Sequence, residues 1–339
     1  MSDLAGAQET VEELLLGALP HLTRGDVAER AGVPIEVAEQ LWQLLGFPRT
    51  APEDLAFTEA DVEALRLARE LMELGVIGPD SQAALVRTWG RSYARLAEWQ
   101  TSLLADLAVA DPDPAHRLTD LAQSVLPRIE SLQSYVWRRH LASATSRSLA
   151  VEAASTPAST MAVCFVDIVG YTSRSKSLDE AELVAWLEHF EDTATALVVD
   201  RGGRIIKTIG DEVLFVADRA EDAAEAALEM TARGADEDDP FPSVRAGIAY
   251  GDVVSRLGDV YGPTVNVAAR LTSVARPGAV LVDRGCYEAL TGGPDEEAED
   301  TRGAGDADPV SPYVLRRARR VSVKGYAKLQ PWVLRRPAG

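Results

Sequence analysis

Gly210-Asp211 separates two short runs, Arg204-Ile-Ile-Lys-Thr-Ile209 and Val213-Leu-Phe-Val216, both rich in β-branched or aromatic residues. Such side chains suit a pleated sheet, and a Gly-Asp pair between two of these runs predicts a tight hairpin over 204–217. A third run, Met161-Ala-Val-Cys-Phe-Val166, ends on Asp167. If it pairs with the hairpin, Asp167 and Asp211 arrive together at one edge of a sheet. Two hard carboxylates beside glycine-permitted backbone are what a pair of Mg²⁺ ions needs to hold a triphosphate.

The surrounding pattern alternates strand and helix. A strand over 161–167 precedes a helix over 177–200, the hairpin, a helix over 220–233 and a strand over 243–250. This β-α-β-β-α-β order is the ferredoxin-like arrangement, so the expected class for this half is α+β. Residues 10–147 read as helical throughout, with no period-two strand. Thr23 and Thr58, each followed three positions later by an Asp, suit helix starts, as does Pro34; Gly46-Phe-Pro48 suits a helix end. Helices are expected from Thr58 to about Gly75 and over 81–107. Pro127 lies inside a helical pattern over 117–147, which predicts two helices or one kinked helix, and hence a joint. Residues 150–160 are small and polar, as in a linker. The expected organisation is an all-helical domain over 1–149, a linker over 150–160 and a catalytic domain over 161–339.

Composition narrows the classes further. At 339 residues the chain is long enough for two cores. It has no run of eighteen apolar residues, and its start lacks the charged-then-apolar pattern of a signal peptide, so membrane insertion is not expected and a cytoplasmic protein is. Cys164 and Cys286 are the two cysteines and neither has a metal-ligand neighbourhood, which predicts packed thiols. A net charge of −19 opposes nucleic acid and anionic membrane surfaces. The stretch Ala28-Glu-Arg-Ala-Gly-Val-Pro34 has the look of a helix-turn-helix. The helix after it, 34–45, holds two Glu and no Lys or Arg, which makes a DNA-binding regulator a poor alternative. Two acidic insertions, 236–239 and 295–300, read as solvated loops.

Five motifs in order carry a resemblance to the catalytic domain of class III nucleotidyl cyclases over roughly 157–333. They are Phe165-Val-Asp-Ile-Val-Gly-Tyr-Thr172, Lys207-Thr-Ile-Gly-Asp211, Val244-Arg-Ala-Gly-Ile-Ala-Tyr-Gly251, Gly258-Asp-Val-Tyr-Gly-Pro-Thr-Val-Asn-Val-Ala-Ala-Arg270 and Val321-Ser-Val-Lys-Gly325. The resemblance implies a 3′ hydroxyl attacking the α-phosphorus of a nucleoside triphosphate, with pyrophosphate leaving. It makes Asp167, Asp211 and the carbonyl of Ile168 ligands to two divalent cations per site, Mg²⁺ or Mn²⁺. Backbone N–H groups from Ile168 to Thr172, with Gly170, Tyr171 and Thr172 at the turn, would meet the β and γ phosphates. Gly170 would allow the close approach.

Lys207 and Asp259 fall where the family reads the base. Lysine only donates and an ionised aspartate only accepts, and this combination belongs to the family's ATP users. Asn266 and Arg270, four residues apart on a helix expected over 264–275, would orient the ribose and stabilise the reacting phosphate. Val267, Leu271 and Val274 would face the core. Lys324 would contact the terminal phosphates.

The resemblance also implies a homodimer through the catalytic domains, with the metal acids from one subunit and the base and Asn/Arg residues from the other. The chain departs from the family at Gly262-Pro263, where Gly-Asn is usual, and at 255–258, a short connection where relatives carry a longer dimerising arm. Residues 1–149 resemble the helical regulatory domains of actinobacterial cyclases, including an autoinhibited, pH-responsive type. The expected regulator is a proton, read by His116 or His140, or a small apolar ligand such as a fatty acid. The alternatives to an adenylate cyclase are a degenerate nucleotide-binding relative or scaffold and, disfavoured by Lys207 and Asp259, a guanylate cyclase.

Overall fold

The computed structural model describes residues 2–76, 82–153, 159–256, 258–293, 312–323 and 326–337. Internal contacts divide the chain into two units, Met1–Leu149 and Ala150–Gly339.

The described elements of the first unit are helices: α1 (Ser2–Leu16), α2 (Arg24–Ala31), α3 (Ile35–Leu45), α4 (Glu59–Glu73), α5 (Gln82–Val109) and α6 (Pro114–Ala153), the last of which ends four residues past the unit's boundary. A reciprocal capping box starts α2: the Thr23 N–H donates to Asp26 Oδ2 at 2.9 Å and the Asp26 N–H to Thr23 Oγ1 at 3.2 Å, which satisfies two of the N–H groups that a helix start leaves over. At the start of α4 the Thr58 N–H donates to Asp61 Oδ2 at 2.8 Å. The core of these helices holds Val27, Ala38, Leu41, Val62, Leu65 and Val86. An isolated antiparallel bridge, Leu22 to Phe57, pins the segment before α2 to the segment before α4.

Of the two arrangements expected at Pro127, two helices or one, the chain forms one: α6 passes through the proline. Proline removes a single hydrogen bond, and more than two turns on either side hold the register. The arginine at 128 donates to the carbonyl of Ser124, and Ser131 Oγ donates to the carbonyl of Pro127 at 2.8 Å, so side chains serve the backbone around the break. Within the stretch expected as a linker, α6 reaches Ala153 and the first strand begins at Ser159.

The second unit contains β1 (Ser159–Ile168), α7 (Tyr171–Arg174), α8 (Glu180–Asp200), β2 (Arg204–Ile209), β3 (Glu212–Ala217), α9 (Ala220–Arg233), β4 (Val244–Arg256), β5 (Asp259–Tyr261), α10 (Pro263–Val274), β6 (Val280–Val282), α11 (Arg284–Thr291), β7 (Val314–Arg317), β8 (Val321–Val323), β9 (Tyr326–Leu329) and β10 (Trp332–Arg335). The main sheet runs β2-β3-β1-β4-β6-β10-β7, with β5 paired to β4. Only β4 and β6 are parallel among its described pairs. The β-α-β-β-α-β order over β1 to β4 is the α+β arrangement that the sequence predicts.

Alternation along β1 places the two layers. Ala162, Cys164, Val166 and Ile168 face a core with Phe190 and Ala194 of α8 and the alanines of α9. Met161, Val163 and Phe165 face the other side, against Val267, Ala268 and Leu271 of α10. Gly247 in β4 makes that second layer close: a Cβ there would lie 2.4 Å from the amide nitrogen of Thr272 and 2.6 Å from the carbonyl oxygen of Ala268. Cys164 and Cys286 are both fully buried, and burial pushes both thiols well above their ordinary pKa.

β4 is longer than expected. Ser255 and Arg256 remain in the strand and pair with Val260 and Asp259, so the supposed loop at 255–258 belongs largely to a hairpin arm. The helix expected from 177 starts at Glu180, because Asp179 caps it and accepts from the Glu182 N–H. The acidic insertion at 295–300 lies outside the described residues. No described helix is long and apolar enough to cross a membrane.

Candidate active site

Antiparallel register decides which charged groups meet at the end of β1. Asp167 stands opposite Glu212 in β3 and opposite Arg245 in β4. The Ile168 N–H donates to the carbonyl of Asp211 at 3.1 Å, which ties the strand end to the hairpin turn. Gly210 holds that turn at φ 64°, a conformation glycine adopts without strain. Asp167 and Asp211 are thereby neighbours at one edge of the sheet.

Their electrostatics are those of crowded acids. Asp211 titrates above its ordinary value: burial raises it most, a backbone hydrogen bond lowers it, and the charge of Asp167 raises it again, with Arg245 opposing. Glu212 is pushed up to about 7, by burial first and then by Asp167 and Asp211. Arg245 restrains the cluster, with Nε 2.7 Å and Nη2 2.6 Å from Oδ2 of Asp167. This donor set fits a hard divalent ion, since the charge of Asp167 raises the pKa of both Asp211 and Glu212 and a cation relieves such crowding. Among the described residues no group of three or more His, Cys, Asp and Glu forms a ready-made cage, so further ligands would have to come from backbone carbonyls, substrate and water.

The sequence did not single out Glu212 or Arg245. A signal for Arg245 was present, because it is the one charged residue in the run Val244 to Tyr250. Glu212 follows the turn aspartate and reads as an ordinary polar strand start; only register brings it beside Asp167.

The turn after β1 needs one correction. Ile168 and Val169 do not offer free amides, because their N–H groups donate to Asp211 and, at 2.8 Å, to Ser243. Those of Gly170, Tyr171 and Thr172 have no intramolecular acceptor among the described residues. Gly170, at φ 74°, caps the short α7. The Tyr171 ring lies parallel to that of Trp186, with centroids 6.2 Å apart and an interplanar angle of 6°, which anchors the turn to α8.

A second group forms around β2, β5 and α10. A bulge between Ile205 and Lys207 re-aims β2, and Lys207 Nζ lies 2.5 Å from Asp259 Oδ2. The other Asp259 oxygen accepts from the Val260 N–H at 2.8 Å. Burial alone would raise the Asp259 pKa, but the Lys207 and Val260 hydrogen bonds and the Lys207 charge bring it below the ordinary value. α10 starts with Pro263 in its first turn, and Thr264 Oγ1 donates to the carbonyl of Asp252 at 2.8 Å. Asn266 and Arg270 share its exposed face. Val267 and Leu271 are buried as expected, but Val274 is 37% exposed; Ala268, Thr272 and Ala275 complete the seat instead. No hydrogen bond or ion pair among the described residues joins this group to Asp167 or Asp211. Lys324 lies outside the described residues.

Two carboxylates on adjoining strand ends, and a separate exposed Lys/Asp pair near an Asn/Arg helix, define a nucleotidyl cyclase catalytic unit of class III. The chain belongs to the adenylate and guanylate cyclase catalytic domain family, whose model matches residues 153–334. An adenylate cyclase of Streptomyces coelicolor is 38% identical over 97% of this chain and 90% of its own length. A pH-sensitive adenylate cyclase of Mycobacterium tuberculosis is 31% identical over 82% of this chain and 72% of its own. Among solved structures, the catalytic core of a rhodopsin-guanylyl cyclase with converted specificity, in complex with ATPαS, matches at 22% identity and a TM-score of 0.44, over 53% of this chain and 97% of that one.

Proposed function

We propose that the chain is an adenylate cyclase that converts ATP to 3′,5′-cyclic AMP and pyrophosphate, at sites shared between two subunits and regulated by the helical unit. The observation that carries this reading is the approach of Asp211 to Asp167, tied by the Ile168 N–H to the Asp211 carbonyl, in a unit whose family match spans residues 153–334. The near full-length likeness to a protein named adenylate cyclase supports ATP as the substrate.

The reaction demands position and charge stabilisation more than covalent help. Two divalent cations, Mg²⁺ or Mn²⁺, held by Asp167, Asp211 and the Ile168 carbonyl, would lower the pKa of the 3′ hydroxyl and offset phosphate charge. The free N–H groups of Gly170, Tyr171 and Thr172 receive the β and γ phosphates, and Lys324 meets the terminal ones. Lys207 donates to N1 of adenine and Asp259 accepts from its N6 amino group. Asn266 orients the ribose, and the Arg270 guanidinium takes up negative charge on the reacting phosphate.

Among the described residues the second group has no polar contact with the metal acids, which supports a homodimer in which each subunit completes the other's site. A two-fold axis then yields two equivalent sites from one copy of every role.

Regulation is assigned to residues 1–149. An apolar cavity of about 700 Å³ lies within this unit, between α1, α5 and α6, lined by Leu15, Leu16, Leu104, Leu118, Ala122 and Leu126 among others. That lining suits a small apolar ligand. A proton is the second regulator: His116 Nε2 lies 3.5 Å from Asp120 Oδ2 on α6, and His140 is exposed on the same helix. The likeness to a pH-sensitive relative supports it.

The test is direct. Purified protein is incubated with Mg²⁺ or Mn²⁺ and either ATP or GTP, and cyclic product and pyrophosphate are measured. Cyclic AMP and pyrophosphate in equal amounts are expected. Nucleotide binding without either product, with both metals, would leave a degenerate binding domain.

A further inference from the structure

Three charged side chains stand in register across adjacent strands on one face of the sheet: Glu212 of β3, Asp167 of β1 and Arg245 of β4. Further along the same face of β1 come Phe165, Val163 and Met161, so the charged row closes an apolar layer. Asp211 lies beside the row at the hairpin turn. Among the described residues Arg245 is the one cation paired with any of these three acids. Two of its nitrogens converge on a single oxygen, Oδ2 of Asp167, at 2.6 and 2.7 Å.

We infer that Arg245 competes with the divalent ion for the Asp167 carboxylate, and so sets the ion concentration at which the carboxylate pair loads. The inference rests on the metal-binding reading of Asp167 and Asp211 given above. Its physics is that of one acid between two cations. A carboxylate already in a charge-assisted double contact has less negative potential to give an arriving ion, and the guanidinium repels that ion at short range. The same guanidinium restrains three neighbouring acids from repelling one another when no ion is bound. Arg245 should therefore act with opposite sign on two measurable quantities, favouring the folded chain without metal and opposing metal binding. A residue that only props the Asp167 side chain would act with one sign, since its loss would weaken both.

The experiment uses the full chain and Mn²⁺ alone, with free Mn²⁺ followed by electron paramagnetic resonance and unfolding followed by heat, with and without the ion. Arg245→Gln is expected to bind Mn²⁺ about 10-fold tighter than the wild type or more, as loss of a neighbouring charge implies. It should also melt lower than the wild type in chelator, with that gap narrowing on addition of Mn²⁺. Arg245→Met, which keeps the apolar part of the stem, gives the same reading if the glutamine variant does not fold. Unchanged or weaker Mn²⁺ binding in the folded variant overturns the inference, as does a melting gap that Mn²⁺ leaves untouched. Asp167→Asn separates the two levels. If it abolishes Mn²⁺ binding while Arg245→Gln does not tighten it, the competition alone fails. If it leaves Mn²⁺ binding intact, the ion is not on Asp167 and both readings fail.

Discussion

Lys207 and Asp259, one on β2 and the other on β5, lie 2.5 Å apart within a single subunit. The two residues assigned to the adenine ring are thus each other's partners before any base arrives. ATP must exchange that contact for two hydrogen bonds to the ring, so removing either residue leaves the other facing the base unmatched. Lys207→Ala and Asp259→Ala are each expected to lower kcat/KM for ATP by about 100-fold. The Lys207 side chain is 42% exposed, so thermal stability should move by less than about 1 kcal/mol. Steady-state kinetics beside a melting curve checks both, and wild-type kinetics in either variant would remove the base-reading role.

Asp167→Asn and Asp211→Asn keep size and lose charge. Each should reduce cyclic AMP formation by about 1000-fold or more, since charge stabilisation is usually the largest catalytic contribution. Chelation should silence the wild type reversibly. Circular dichroism shows whether the variants remain folded, and substantial turnover in a folded double variant counts against the two-metal reading.

Gly247→Ala tests how α10 is seated. The added methyl group would meet backbone atoms of Thr272 and Ala268, which cannot rotate away. A loss of about 1–3 kcal/mol is expected from overpacking. Because Asn266 and Arg270 ride on α10, kcat should fall further than the fraction unfolded explains. Denaturant titration and kcat on the same preparation separate the two effects.

Asp283 caps α11, accepting from the N–H groups of Cys286 at 2.8 Å and Tyr250 at 3.1 Å. Burial raises its pKa to about 6, against the pull of those hydrogen bonds. A raised folded pKa means that its contribution is full below the ordinary value near 3.8 and is lost as pH climbs through about 6. Glu212 works in the same sense up to about 7. The wild type should therefore lose more stability between pH 5 and pH 7.5 than Asp283→Asn does, by about 1 kcal/mol. Parallel urea curves at the two pH values decide it; an identical slope with pH in both proteins contradicts the assignment.

His116→Gln with His140→Gln addresses the proton as regulator. Activation on acidification should shrink markedly in the double variant, while activity at the alkaline end stays within about twofold, as expected for exposed side chains outside the catalytic unit. An unchanged pH profile assigns regulation elsewhere.

The parts of this fold that were readable from the chain are those governed by local chemistry. β-branched runs and the Gly210 turn placed β2 and β3, caps at Thr23 and Thr58 placed α2 and α4, and the i, i+4 spacing of Asn266 and Arg270 placed both on one face. What stayed hidden depends on partners distant in sequence. Arg245 and Glu212 reach Asp167 only through strand register, 78 residues away in the case of Arg245. Ser255 and Arg256 became strand because β5 folds back on them. At Pro127 the local rule leaves two helices or one open, and a helix of 40 residues, which absorbs the loss of one bond, decides for one.

The placement of the two sulfur atoms turns the chain into its own reporter. Cys164 and Cys286 both belong to the cyclase unit, and residues 1–149 contain no cysteine. A thiol-specific dye can reach either sulfur only when the sheet and its covering helices part. Labelling rate therefore clocks the opening of the catalytic half alone, without a tag or a mutation, whatever the helical half is doing.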